Sequence, residues 1–101
     1  MNWTKSLSRD LAPRVTVNAL SPGQILTESW EEEARIRAKQ EGRSWKSMLV
    51  EIQKNAARRI PAGRMGLPED LAPLAVLLAS DAGAWITGAC FAVDGGATRS
   101  I

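Results

Sequence analysis

Apolar residues recur every three or four positions in three segments of this chain, and this spacing predicts three helices that each bury one face. The first covers residues 2–12 and ends before Pro13. The second runs from about Ser44 to Arg59, and the third begins at Pro68 and closes at residues 80–83. The residues expected on the three buried faces are Trp3, Leu7 and Leu11; Trp45, Met48, Leu49, Ile52 and Ala56; and Leu71, Leu74, Ala75 and Leu78.

A fourth helix is predicted by its ends and by its charges. Ser29 followed three residues later by Glu32 is a capping-box pattern, and Gly42 is a typical stop after a helix that ends near Gln40. Charges of opposite sign lie at helical spacing in residues 31–37, which is typical of a solvated face.

Two apolar runs of strand length predict the strands. Residues 14–20 are rich in β-branched side chains and precede Pro22 and Gly23, while residues 89–93 precede Asp94 and two glycines. Both runs are continuous, which indicates strands buried on both faces of a parallel sheet. The order helix, strand, helical crossover, strand therefore predicts an α/β fold with a right-handed crossover.

Composition excludes several classes of function. The chain has 101 residues, enough for one small domain, and a net charge of +2 without a basic stripe, so nucleic-acid binding is not expected. No apolar run approaches the length of a membrane span and the N-terminus lacks the pattern of a signal peptide, so we expect a cytoplasmic protein that does not enter a membrane. The single cysteine, Cys90, lies among apolar neighbours and is expected in the core. With no histidine and no tyrosine, the sequence predicts neither a serine–histidine nucleophile nor a metal site.

The candidate ligand site is the segment 18–27, which follows the first predicted strand. Ligands of open α/β sheets bind at the carboxyl ends of the strands. A turn at Pro22 and Gly23 would present backbone groups there, and Thr27 would add a hydroxyl.

With these elements in place, the chain resembles the C-terminal part of the short-chain dehydrogenase/reductase family. The matching blocks occur in family order and at family-like spacing across nearly the whole chain. They are Lys5-Ser6-Leu7-Ser8-Arg9-Asp10-Leu11-Ala12; Val15-Thr16-Val17-Asn18-Ala19-Leu20-Ser21-Pro22-Gly23 with Thr27; Ile60-Pro61-Ala62-Gly63-Arg64-Met65-Gly66-Leu67-Pro68-Glu69-Asp70; Leu77-Leu78-Ala79-Ser80-Asp81; and Trp85-Ile86-Thr87-Gly88 followed by Val93-Asp94-Gly95-Gly96.

The resemblance implies the C-terminal portion of a Rossmann-like, doubly wound parallel sheet, in which residues 1–101 are part of a domain that binds NAD or NADP. The turn would lie against the nicotinamide ring, shaped by Pro22 and Gly23. The Ile25 backbone would hydrogen-bond the carboxamide, and the Thr27 hydroxyl would contact the carboxamide or the pyrophosphate. The alternative is a turn that ends a strand and binds nothing.

The resemblance also implies that residues 28–59 form a helical lid on the substrate side. Trp30, Trp45 and Met48 would line a pocket for a bulky apolar substrate, or would only dock the lid helices. Turn, cap and loop-fixing roles are expected for Arg64, Asp81, Thr87 and Asp94.

The family's catalytic serine, tyrosine and lysine and its glycine-rich phosphate loop have no counterparts in this sequence, and by resemblance the Tyr-x-x-x-Lys region would end just before Met1. No catalytic residue is therefore assigned. We expect a C-terminal fragment of an oxidoreductase that transfers hydride between the cofactor and a small-molecule carbonyl or alcohol, inactive by itself. The alternative is a non-catalytic module that oligomerises or pairs with a separate N-terminal half. An independent small enzyme is disfavoured. The apolar surface left by two strands favours a homo-oligomer.

Overall fold

The structure is a computed structural model that describes residues 2–99. None of the described helices is long and apolar enough to cross a membrane. Along the chain the elements are α1 (Asn2–Leu11), β1 (Ala19–Pro22), α2 (Glu28–Glu41), α3 (Trp45–Arg59), α4 (Pro68–Ala79), a 3₁₀ turn (Asp81–Gly83) and β2 (Cys90–Val93). They form two compact units, residues 2–22 with 69–93 and residues 23–68 with 94–99.

The first unit contains the sheet. β1 and β2 pair in parallel, with Ala19 opposite Cys90 and Pro22 opposite Val93. The long helical segments between the two strands and their parallel pairing confirm the predicted α/β class.

The predicted strand at residues 14–20 is wrong in its bounds, because β1 covers only Ala19–Pro22. Upstream, Val17 bonds to a loop and not to a strand: its N–H donates to Thr87 Oγ1 at 3.0 Å, and its carbonyl accepts from the Gly88 N–H at 2.7 Å. One of these bonds goes to a side chain, so the regular ladder begins only at Ala19.

Burial of the strands on both faces is also wrong. Cys90 and Ala92 are exposed in β2, whereas Phe91 and Val93 are half-buried. A continuous apolar run predicts a covering layer on each face, and the described chain covers only one. The expected core position of Cys90 is therefore wrong as well.

Helix α1 buries a face one residue away from the predicted one, and of the three predicted residues only Leu11 is half-buried. Thr4 and Ser8 are buried, while Trp3 is 69% and Leu7 is 39% exposed. Ser8 lies against the loop before β2, because a Cβ atom on Gly88 would be 2.6 Å from Ser8 Oγ. Small polar side chains let the helix approach this loop, and the larger apolar residues remain on the outside.

Helix α4 begins at Pro68 and ends at Ala79, as predicted. Of its expected buried face, Leu71, Leu74 and Leu78 are half-buried, but Ala75 is exposed. The only charged residues of α4 are the acidic ones in its first turn. None of the residues of α4 is fully buried. Its apolar sequence thus predicts more burial than this unit provides.

The second unit is built around α2 and α3, which pack against each other. Their shared core consists of Ala34 and Ala38 from α2 and Met48 and Ile52 from α3. Helix α3 begins at Trp45, close to the predicted start, and the Ser44 side chain caps it by accepting a hydrogen bond from the Ser47 N–H.

The start of α2 differs from the predicted capping box on Ser29. The helix begins at Glu28, and Thr27 occupies the N-cap position with φ −129° and ψ 176°. The Thr27 carbonyl accepts the first helical bond, from the Trp30 N–H at 3.0 Å. At the other end, Gly42 has φ 65° and stops the helix as predicted.

Candidate functional site

The segment that leads from β1 to α2 is held on one side only. Ile25 forms a parallel bridge with Gly66, in which the Leu26 N–H donates to the Gly66 carbonyl at 2.8 Å and the Gly66 N–H donates to the Gln24 carbonyl at 2.9 Å. Because backbone groups alternate along an extended chain, the N–H and carbonyl of Ile25 itself point away from Gly66. This segment therefore presents one donor and one acceptor on an open edge.

Pro22 ends the strand that precedes this segment. The Ala19 N–H donates to the Ala89 carbonyl at 2.9 Å, so Ala19 and Ser21 direct their backbone groups toward β2. Pro22 has the opposite orientation, and its missing N–H leaves no donor unsatisfied on the outer edge of β1.

Gly23 is required by a close approach within the second unit. A Cβ atom at this position would lie 2.7 Å from the Cβ and 2.8 Å from the Cα of Asp94. Asp94 in turn anchors the C-terminal loop, since its carboxylate accepts from the Gly96 N–H at 2.9 Å and the Thr98 N–H at 3.1 Å. A hydrogen bond from the Thr98 side chain is the main cause that lowers the pKa of Asp94, and the backbone bonds from Gly96 and Thr98 lower it further.

Thr27 occupies the N-cap position of α2, yet its side chain makes no capping hydrogen bond. The residue is exposed. An N-cap threonine ordinarily uses its oxygen to accept an N–H of the first turn. Here that hydroxyl is left for another partner, next to the positive end of a helix of 14 residues.

The three residues expected to line a substrate pocket have different surroundings. Met48 is buried between α2 and α3, and Trp45 is half-buried with the Arg35 guanidinium 4.0 Å from the ring centroid. Trp30 is half-buried and borders a polar cavity of about 180 Å³. The structure thus brings Trp30 to a cavity, while Trp45 and Met48 pack within the helix pair.

A larger cavity of about 410 Å³ lies elsewhere in the second unit, beside α3. Its walls are mostly apolar, and two cationic side chains contribute to them. The lining residues are Leu26, Val50, Gln53, Lys54, Ala57, Gly63, Arg64, Met65 and Leu67.

Asn18 is a positioning residue for which the sequence analysis gave no role. Its Nδ2 donates to the Ile86 carbonyl at 3.0 Å, and its Oδ1 accepts from the Ala89 N–H at 3.1 Å. The side-chain amide thereby joins the start of β1 to the segment before β2. The signal was an amide inside a predicted strand, because an amide removed from water requires partners.

Most of the residues expected to have structural roles make such contacts. Besides Thr87 and Asp94, Arg64 Nη1 donates to the Met65 carbonyl at 3.0 Å. For Asp81 the structural role stays a prediction, because the bond it makes, from the Ala84 N–H at 3.1 Å, is to its backbone carbonyl. Within residues 2–99, no group of three or more acidic, cysteine or histidine side chains could hold a metal ion.

Known proteins are similar to this chain over nearly its full length. The family model described as Enoyl-(Acyl carrier protein) reductase matches residues 1–98. An uncharacterised oxidoreductase of Mycobacterium tuberculosis is 37% identical over 94 residues, which are 92% of this chain and 32% of the relative. An NAD-dependent glycerol dehydrogenase of Listeria innocua is 37% identical over 99 residues, which are 97% of this chain and 34% of the relative.

Solved structures agree in fold. The L-sorbose reductase of Gluconobacter frateurii, complexed with NADPH and L-sorbose, superposes with a TM-score of 0.84 at 31% identity and covers 99% of this chain and 37% of its own. The chain spans about a third of the length of the curated relatives it matches.

Proposed function

The chain belongs to the short-chain dehydrogenase/reductase family, and we propose that residues 22–27 form the nicotinamide side of an NAD or NADP site in an oxidoreductase of that family. The parent reaction is hydride transfer between the cofactor and a small-molecule carbonyl or alcohol. The observation that carries this proposal is the orientation of Ile25, whose N–H and carbonyl point away from the bridge to Gly66.

The chemistry of these residues fits a nicotinamide. A carboxamide has one carbonyl acceptor and one NH₂ donor, which complement the open N–H and carbonyl of Ile25. The Thr27 hydroxyl, which makes no capping bond, both donates and accepts. When bound, the cofactor supplies or takes up the hydride, and Pro22, Gly23, Ile25 and Thr27 hold the ring in one orientation.

The isolated chain has no turnover in this proposal. Its 101 residues contain neither tyrosine nor histidine, so the family's proton-transferring tyrosine is not supplied by this segment. The chain spans about a third of its relatives' length. The catalytic and phosphate-binding groups therefore belong to another part of the parent protein.

Residues 28–59 form the substrate-side lid in the same proposal. They include α2 and α3, whose own core of buried alanine, methionine and isoleucine side chains makes the pair a coherent element. Trp30 is the lid residue that borders a cavity, so it is the first of the three to test for substrate contact. A cytoplasmic location fits an exposed cysteine that has no disulfide.

A second candidate function, an interaction module, is favoured by the outer surface of the first unit. Trp85 is 99%, Trp3 69% and Val76 67% exposed, although apolar side chains of this size are normally covered. We propose that this surface is buried in a homo-oligomer or against a separate N-terminal half. Multi-angle light scattering should then show a mass above that of one chain, and Trp3→Ser with Val76→Ser should lower it. A concentration-independent monomer that binds no such half contradicts this function.

Titration of the ¹⁵N-labelled chain with nicotinamide riboside tests the cofactor proposal. This ligand carries the carboxamide and a ribose but no phosphate, so it reports only on the nicotinamide side. We expect the Ile25 and Thr27 amide resonances to shift, and we expect adenosine to leave them in place.

A further inference from the structure

The polar cavity beside Trp30 has a composition that the cofactor proposal does not explain. It lies in the second unit, among α2, α3 and the segment before α2, and has a volume of about 180 Å³. A water molecule occupies about 30 Å³ of liquid, so the cavity has room for a small polar group and not for a dinucleotide. The lining residues are Gln24, Trp30, Arg37, Ile52, Asn55, Ala56 and Arg59.

Two arginines line this cavity and no acidic residue does. Arg37 comes from α2 and Arg59 from the last turn of α3. Two positive charges that share a small cavity repel each other, and an anion bound between them would attract both. Arg58 and Arg59 both lie in the last turn of α3, where a positive charge interacts favourably with the helix dipole. Only Arg59 lines this cavity, so the dipole alone does not explain its position.

Arg37 is oriented for a further acceptor. Its Nε donates to Glu33 Oε1 at 2.9 Å, which occupies one edge of the guanidinium and leaves the two terminal amino groups. The side chains of Arg37 and Glu33 are 48% and 44% exposed, so this ion pair contributes little to stability. Glu33 compensates one positive charge, and the charge of Arg59 on the opposite helix gives the cavity a net positive charge.

The remaining walls favour an organic anion. Gln24 and Asn55 provide amide donors, and Ile52 and Ala56 form a buried apolar floor that limits competing water. Trp30 offers an aromatic wall against which a flat or apolar group can pack. Guanidinium groups match the planar fork of a carboxylate and the oxygens of a phosphate.

We propose that this cavity binds a carboxylate or phosphate group, with the adjoining part of the same ligand packed on Trp30. Gln24 directly precedes Ile25, so the cavity borders the segment assigned to the nicotinamide. The anion would then be the charged end of the substrate. Only this last step rests on the proposed function, because anion binding follows from the cavity alone.

Isothermal titration calorimetry of the 101-residue chain tests the site with two probes, inorganic phosphate and benzoate, and with benzamide as the uncharged control. We expect saturable binding of at least one anion and none of benzamide. Arg37→Gln and Arg59→Gln should each weaken it about tenfold, which corresponds to the loss of one charge-assisted hydrogen bond. Arg58→Gln is the matched control, since it removes one charge beside the cavity, and it should leave binding unchanged.

The two probes separate the sources of the anion. Tighter binding of benzoate that is lost in Trp30→Leu assigns a carboxylate beside a ring, and tighter binding of phosphate assigns a phosphate ester. Absence of saturable binding overturns the proposal, as does equal weakening by Arg58→Gln. The titration with nicotinamide riboside is followed at the Ile25 and Thr27 amides, and the ribose of this ligand carries no anionic group. If that titration fails, the cofactor proposal is wrong, but the result for anion binding is unaffected.

Discussion

Gly23 and Asp94 approach so closely that a Cβ atom on Gly23 would lie 2.8 Å from the Asp94 Cα. The clashing atom belongs to the main chain and not to the end of a flexible side chain, so a side chain at position 23 could be accommodated only if the backbone moved. The glycine of the proposed cofactor turn is thus fixed by its contact with the C-terminal loop, whatever it contributes to ligand binding.

Gly23→Ala should destabilise the chain by about 1–3 kcal/mol, the usual cost of an overpacked contact. Urea unfolding measures this loss. Gly42→Ala is the control, because Gly42 has φ 65° but no atom within 4 Å of the added Cβ. The Gly23 variant should shift the amide resonances of Asp94 and Gly96, and the Gly42 variant should not. Unshifted resonances in Gly23→Ala would contradict the contact.

Asn18 should contribute to stability through both ends of its amide. Asn18→Leu removes the donor to the Ile86 carbonyl and the acceptor of the Ala89 N–H, with an expected loss of about 1–3 kcal/mol. Asn18→Asp keeps the acceptor but places a carboxylate oxygen against the Ile86 carbonyl, so it should lose at least as much. The free energies of unfolding of the two variants, from urea titration above pH 6, decide the order. A leucine variant as stable as the parent chain would refute this role.

Asp94 should give the C-terminal loop a pH dependence in the acid range. Its folded-state pKa is lowered by hydrogen bonds from Thr98 and Gly96, while the unfolded pKa of an aspartate is about 3.9. The stabilisation is therefore complete above the unfolded pKa and is lost as the pH falls through the folded pKa. The Gly96 and Thr98 amide shifts should titrate with a midpoint below 3.9 in the parent chain and lose that step in Asp94→Asn. A midpoint above about 3.9 would be incompatible with these bonds.

The purified chain should show no reductase turnover with NADH or NADPH. It contains no tyrosine to transfer the proton, and proton transfer by a positioned side chain typically contributes about 10²- to 10⁴-fold to rate. The measurement is nicotinamide absorbance over time with a panel of ketones and aldehydes. Turnover that disappears in Thr27→Val would show that this segment carries a catalytic site of its own.

Local signals in the sequence predict the helices of this chain well. Helix α3 begins next to Ser44, Gly42 ends α2 and Pro68 begins α4, because each of these effects depends on neighbouring residues only. Periodicity shows which face of a helix is apolar but not whether this chain covers it. Helix α1 accordingly buries Thr4 and Ser8.

The sequence was enough to propose a candidate site, but not to predict its geometry. The strand followed by Pro22 and Gly23 marks the end of β1, and the hydroxyl of Thr27 was visible as a candidate ligand group. The bridge from Ile25 to Gly66 depends on a partner far along the chain. The convergence of Arg37 and Arg59 depends on how α2 packs on α3. No local pattern encodes either contact.

Replacement of Thr27 should separate its hydroxyl from its backbone. Thr27→Val keeps a β-branched side chain but removes the hydroxyl, and we expect it to weaken binding of nicotinamide riboside about 3- to 10-fold, the effect of one hydrogen bond. Because the side chain makes no capping bond, the free energy of unfolding should remain within about 0.5 kcal/mol. Thr16→Val, a threonine of the other unit, is the matched control and should not affect riboside binding.

Amide shift mapping of the ¹⁵N-labelled chain with nicotinamide riboside is the decisive test of whether residues 22–27 face a nicotinamide. We expect saturable shifts centred on Ile25 and Thr27, and none with adenosine. Shifts centred elsewhere, or equal shifts with adenosine, would contradict it.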